Sequence, residues 1–245
     1  MKTEKGYLIY LDVLGYRSIL NSNQVDDIER LQKFIEVFNK NNVDIKAGLF
    51  TGKFDSKRIV FKSYSDNFLI FYKADKVERN ELSCMISLAS FFIGSAIARG
   101  FMMRGSMVYG ELTYDNNSVF GIKLVKAYDL EEGHMQPIVA LDKELKKKYE
   151  EYKLFESDLL SPFSFYKKDS VQDAQIYATG IQRMVERLNF DSIINERAIV
   201  KLRWLIDEFN RYFKDCYHIS LIESPSHFEL NETDDVDHKL FLVKG

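Results

Sequence analysis

The chain has 245 residues, 46% of them hydrophobic and 14% aromatic, enough to bury a full core as one elaborated domain. A net charge of −3 implies no basic face, which argues against a nucleic-acid partner. Cys84 and Cys216 lack CxxC spacing and are expected as reduced thiols of a cytoplasmic protein. Met1 to Gly6 holds no signal-type apolar run, and Ile86 to Phe101 reads as too short to span a bilayer, so no direct membrane contact is expected.

Residues 7–14 form an apolar run that predicts a buried strand. In 25–40, Val25, Ile28, Leu31, Phe34, Ile35 and Phe38 recur at three-to-four spacing and predict an amphipathic helix, with Asp26, Asp27 and Glu29 favouring its N-terminal dipole. Asn41, Asn42, Gly48 and Gly52 mark 41–57 as a loop or short irregular strand. Two strands follow, 58–64 and 68–73, joined at Ser65-Asp66-Asn67. A helix is predicted over 81–99 and a strand over 102–109, leaving at Gly110. Asp115-Asn116-Asn117 signals a turn within 112–120, before a helix over 122–132 and a strand over 136–141. The first six elements give β-α-β-β-α-β, the ferredoxin-like split βαβ arrangement, so the expected class is α+β. After residue 142 the character becomes helical: 143–151 is highly charged, 171–188 and 195–213 are long and amphipathic, and a polar tail ends in the strand-like Leu240 to Val243. Residues 1–142 are therefore expected as a core and 143–245 as a helical extension packed on it.

Two carboxylates interrupt apolar strand segments. Asp12 lies in Leu11-Asp12-Val13-Leu14-Gly15, and Asp66 in the turn after Lys62-Ser63-Tyr64. A buried carboxylate is costly unless something neutralises it. In a split βαβ sheet these strands are neighbours, so the pair suggests a hard divalent cation, Mg²⁺ or Mn²⁺, with the Val13 carbonyl as a further ligand. Gly15 permits a turn that brings phosphate towards backbone N–H groups beside Tyr16. An aspartate in a β-turn also caps its own backbone routinely, which is the competing account of Asp66.

These segments, with Arg104-Gly105-Ser106-Met107-Val108-Tyr109-Gly110-Glu111 and Val119-Phe120-Gly121, resemble the class III nucleotidyl cyclase catalytic domain over residues 6–142. Phe120 to Glu131, together with Lys201-Leu202-Arg203-Trp204-Leu205, is similar more narrowly to the bacterial pyrimidine cyclases of the Pycsar anti-phage system, stand-alone enzymes that make cyclic UMP or cyclic CMP as a signal of infection. The resemblance implies two divalent ions per site held by Asp12, the Val13 carbonyl and Asp66, and a homodimer with its sites at the interface. Lys62 matches the base-contacting lysine of the adenylyl cyclases, half of their purine-reading pair. Tyr64, two residues from Asp66, shares a strand face with it and is expected either to narrow the base site towards a pyrimidine or to pack on a helix, with the triphosphate near Gly15 and Tyr16.

Departures from the family pattern carry further expectations. Purine cyclases have an acidic residue where this chain has Ile122, an asparagine at Val125 and a transition-state arginine at Asp129. Arg104 and Lys126 are then the candidate catalytic cations, with Lys123 third. The substrate expected is a pyrimidine nucleoside triphosphate, UTP placed ahead of CTP. A catalytically silent nucleotide-binding or dimerisation module and a purine cyclase remain as alternatives.

Overall fold

The computed structural model describes residues 1–21, 24–44, 55–115, 118–133, 136–157, 159–164, 168–190, 196–223 and 228–232. In chain order the elements are β1 (Lys2–Leu14), α1 (Tyr16–Asn21), α2 (Val25–Asp44), β2 (Ile59–Tyr64), β3 (Asn67–Lys73), α3 (Arg79–Ile97), β4 (Met102–Tyr114), β5 (Val119–Phe120), α4 (Ile122–Glu132), β6 (Val139–Leu141), α5 (Lys143–Glu151), α6 (Val171–Phe190), α7 (Glu196–Tyr212), β7 (Ile219–Glu223) and β8 (Phe228–Glu232).

The first four strands pair in the order β2-β3-β1-β4, every neighbour antiparallel. With α2 and α3 as the two crossovers this is the ferredoxin-like split βαβ arrangement that the element order predicts. β5 extends the sheet antiparallel to β4, and β6 returns parallel to β4 after the α4 crossover.

Alternation along β1 sorts the core into two layers. Tyr7, Ile9, Leu11 and Val13 point to one face and join a large cluster with Phe34 and Phe38 of α2, Phe92 of α3, Tyr177 of α6 and Phe209 of α7. Leu8 and Tyr10 point to the other face and meet Leu69, Phe71, Val108, Leu112 and Ala127 in a much smaller cluster under α4. One face of the sheet is thus thickly covered and the other carries α4.

α3 explains its own composition. Its nineteen residues are long and apolar enough to cross a membrane, longer than the Ile86 to Phe101 run suggests. Leu82, Met85, Ile86, Ala89, Phe92, Ile93 and Ala96 are all buried within the protein, the environment of a core helix. Beyond residue 142, Tyr177, Phe209 and Phe213 each meet the ring of Phe163 edge-on, and all four belong to the same cluster as the sheet. Arg187 of α6 ties this layer to the rest. Its Nε donates to Asp27 Oδ2 on α2 at 2.8 Å, and its Nη1 donates to the Gly100 carbonyl at 3.1 Å.

Several local readings change. α1 and the β7–β8 hairpin had no counterpart in the sequence pattern, and β1 begins five residues earlier than the apolar run. β4 does not end at Gly110 but runs through it to Tyr114. α2 reaches Asp44, so the loop expected from 41 begins later, and 45–54 lie outside the described residues. So does the strand-like run from Leu240 to Val243.

Candidate active site

Register places the candidate residues in rows across the α4 face of the sheet. Tyr64 of β2 pairs with Asn67 of β3, Asn67 with Asp12 of β1, and Asp12 with Arg104 of β4. One level deeper, Lys62, Leu69, Tyr10 and Ser106 form the next row. Cross-strand partners share a face, so Lys62, Tyr64, Asp12 and Arg104 stand on one surface. Lys62 is half-buried and Tyr64 exposed.

Asp66 lies just beyond the upper row. β2 and β3 join through the two residues Ser65 and Asp66, so Asn67 belongs to β3 rather than to the turn. Ser65 takes a positive φ of 58°, unusual for a residue with a Cβ and a sign of a locally over-determined backbone. The Val13 N–H donates to the Asp66 carbonyl at 3.1 Å. That bond sets the Asp66 backbone beside β1, one residue along from Asp12. Val13 itself is buried in the main core.

The two carboxylates differ in their surroundings. Asp66 Oδ1 accepts from the Asn67 side-chain amide at 2.9 Å. Asp12 accepts no hydrogen bond among the described residues and is half-buried. Burial, followed by the negative charges of Glu131 and Asp66, pushes its carboxyl up to about 7, against the opposing fields of Arg104 and Lys201. Either a proton or a bound cation would relieve a carboxylate in this condition. Among the described residues no three His, Cys, Asp or Glu side chains are grouped to hold a metal, so an ion at this site would have only the two aspartates and the backbone as protein donors. That donor set fits Mg²⁺ or Mn²⁺, hard ions commonly held by one or two carboxylates and completed by water and substrate phosphates.

The candidate cations are engaged within their own chain. The Arg104 Nε donates to Oε1 of Glu131, a residue of α4 that is 3% exposed. Burial raises the Glu131 carboxyl above its ordinary value, against the opposing field and hydrogen bond of Arg104. Lys126 Nζ lies 3.2 Å from Asp142 Oδ2, and Asp142 also caps α5 through the Leu145 N–H at 2.9 Å. Lys126 therefore braces α4 against the β6–α5 junction. Lys123 lies across Gly110, where an added Cβ would fall 2.3 Å from its Cε. Gly110 pairs with Gly6, at the opposite end of β1 from Asp12. Gly15 has φ 75° and its carbonyl accepts the Ile19 N–H that opens α1, while Tyr16 packs against the main core.

Two groups near the site were missed in the sequence. Glu131 occupies the position four after Ala127 and seven after Leu124, on the stripe of α4 that faces the sheet, and that spacing was the available signal. Lys201, which enters the sequence reading only within the Pycsar-like segment of α7, has its charge felt at both Asp12 and Glu131. No local pattern announces such a contact, because it arises from how α7 packs.

No family model matches the chain, and no curated protein does. Among solved structures it is similar to the guanylyl cyclase Cya2, with 10% identity, 60% of this chain and 78% of that chain covered, and a TM-score of 0.43. It is also similar to a class III adenylyl cyclase-like ATP-binding protein from Pseudomonas aeruginosa, with 10% identity and a TM-score of 0.41. That match covers 88% of this chain but only 46% of the other, so the chain spans less than half of its length. The α+β, ferredoxin-like assignment stands on the strand order itself.

Proposed function

We propose that the protein is a divalent-metal-dependent nucleotide cyclase that converts a pyrimidine nucleoside triphosphate, UTP before CTP, to its 3′,5′-cyclic monophosphate and pyrophosphate. The observation that carries the reading is the half-buried Asp12 carboxylate, which accepts no hydrogen bond among the described residues and is set beside Asp66 on the α4 face of the sheet. Asp12, Asp66 and the Val13 carbonyl would hold the ions. When bound, Mg²⁺ or Mn²⁺ supplies charge neutralisation for the triphosphate and acidifies the ribose 3′-OH. The 3′-oxygen then forms a bond to the α-phosphorus as the bond to pyrophosphate breaks, and the 3′-OH proton leaves to solvent. The chain's own part is positioning. Lys62 and Tyr64 stand on the same face as Asp12, within the neighbouring rows, and are assigned to the base. The turn at Gly15 gives the triphosphate room next to Tyr16, since nothing lies within 4 Å of where a Cβ would be.

The pyrimidine assignment is supported by Ile122, which stands where the resembled purine cyclases carry an acid, and by the Pycsar-like segment from Phe120 to Glu131. In that setting the product would serve as an infection signal in the cytoplasm. Arg104 and Lys126 keep their assignment as phosphate-neutralising cations, with Arg104 the better placed because it pairs directly across from Asp12. A homodimer is favoured by an uncovered apolar surface: Phe120, Ile122, Val125 and Tyr128 on β5 and α4 are all exposed.

Incubating the protein and Mn²⁺ with each of the four ribonucleoside triphosphates, and identifying products by mass, tests the reading. Cyclic UMP or cyclic CMP is expected. Cyclic AMP or cyclic GMP as the main product removes the pyrimidine claim. A second reading, a silent nucleotide-binding module, is favoured by Asp129 at the arginine position and by the pairing of Arg104 with Glu131. Nucleotide binding without any cyclic product would establish it.

A further inference from the structure

Asp66 occupies a tight turn, where a half-exposed side chain would rotate freely unless something held it. Two neighbours hold it. Asn67 Nδ2 donates to Asp66 Oδ1 at 2.9 Å, and the other end of the same amide, Oδ1, accepts from the Tyr10 hydroxyl. The direction of this chain is fixed by chemistry. An ionised carboxylate only accepts, so the amide nitrogen must face Asp66, and its oxygen is left to face a phenol that can donate. Tyr10 is in turn clamped. It is 8% exposed, lies between Leu69 and Ser106 across the strands, and meets the ring of Tyr128 on α4 edge-on at 6.0 Å. Asp66 Oδ2 accepts no hydrogen bond among the described residues.

We propose that Tyr10 and Asn67 are positioning residues for Asp66: the relay from the Tyr10 hydroxyl through the Asn67 amide engages one carboxylate oxygen and aims the other at the cation shared with Asp12. The inference deepens the metal-dependent reading above and rests on it. Tyr10 touches no reacting atom. Its effect passes through the amide, whose far end it anchors by donating to the oxygen. In a Tyr10→Phe protein the ring and its contact with Tyr128 remain, but the amide oxygen loses its donor and the Asn67 side chain is released to swing away from the carboxylate.

The test is titration of the full chain with Mn²⁺ alone, followed by the electron paramagnetic resonance signal of the free ion, alongside thermal unfolding. Tyr10→Phe and Asn67→Ala are each expected to weaken Mn²⁺ binding by about tenfold, the scale of one charge-assisted hydrogen bond. The double variant is expected to lose about tenfold as well, rather than a hundredfold, because both changes cut one relay. Tyr10→Phe should do this with its melting temperature near wild type, which a merely structural role would not give. Wild-type affinity in both single variants, with binding lost in Asp66→Ala, overturns the relay and leaves the metal site standing. So does a multiplicative loss in the double variant. Unchanged binding in Asp12→Ala and Asp66→Ala removes the metal site and the relay with it.

Discussion

Asp12 stands half-buried on β1, with Asp66 and Glu131 near enough to raise its hold on a proton. Its folded-state value of about 7 lies above the ordinary 3.8, so between those values the folded protein binds a proton that the unfolded chain has released. Stability contributed by that proton is present at low pH and is lost as pH rises through about 7. Chemical denaturation of the metal-free protein from pH 4 to 8 should show wild type losing stability across this window relative to Asp12→Asn, with Mn²⁺ restoring part of it at pH 8. A second change acts on the cause. Glu131→Gln removes the largest cause after burial, a negative charge, and releases Arg104, which faces Asp12 across the strands. Carbon-13 NMR should then find the Asp12 carboxyl titrating well below its wild-type midpoint.

α4 is the element on which the site depends. Its inner stripe of Leu124, Ala127 and Glu131 covers Asp12's face of the sheet, and the Ala127 carbonyl accepts the buried Ser106 hydroxyl at 2.6 Å. The sequence placed this helix at 122–132 with its bounds intact, because Gly121 at φ 142° starts it sharply and Gly133 follows its end. It did not reveal what the helix pairs with, since Arg104 and Glu131 are far apart in the chain. β1 was legible only in its apolar half. Lys2, Thr3, Glu4 and Lys5 pair with β4 but carry no hydrophobic alternation to betray it. On the other side of the sheet, α6 lies so close to α3 that a Cβ on Gly180 would fall 1.8 Å from the Ile97 carbonyl oxygen. Gly180→Ala should therefore destabilise the fold by about 3 kcal/mol, measured by urea unfolding, as the two helices are forced apart.

At the scale of the whole molecule, the distribution of apolar surface is uneven. The thick face of the sheet is sealed by α2, α3, α6 and α7, whereas Ile122 and Val125 of α4 are left exposed, Ile122 at 77%, and Tyr128 stays half-exposed beside its contact with Tyr10. Val125→Glu touches no buried contact, so monomer stability should stay within about 0.5 kcal/mol of wild type. If a second copy covers this surface, sedimentation should show the variant as a monomer where wild type is a dimer. The ferredoxin-like core and the placing of the Asp66 turn beside the Asp12 strand were readable because both follow from local periodicity and one topology rule. The contributions of α7 and Glu131 were not, since they depend on packing between segments distant in sequence. The account's central claim is that Asp12 and Asp66 together support cation-dependent cyclisation of a nucleotide. The most direct measurement is product formation from UTP and CTP with Mn²⁺ by wild type, Asp12→Ala and Asp66→Ala under identical conditions. Cyclic pyrimidine nucleotide from wild type, and none from either variant, is the predicted result; product retained in either variant, or absent from wild type, contradicts it.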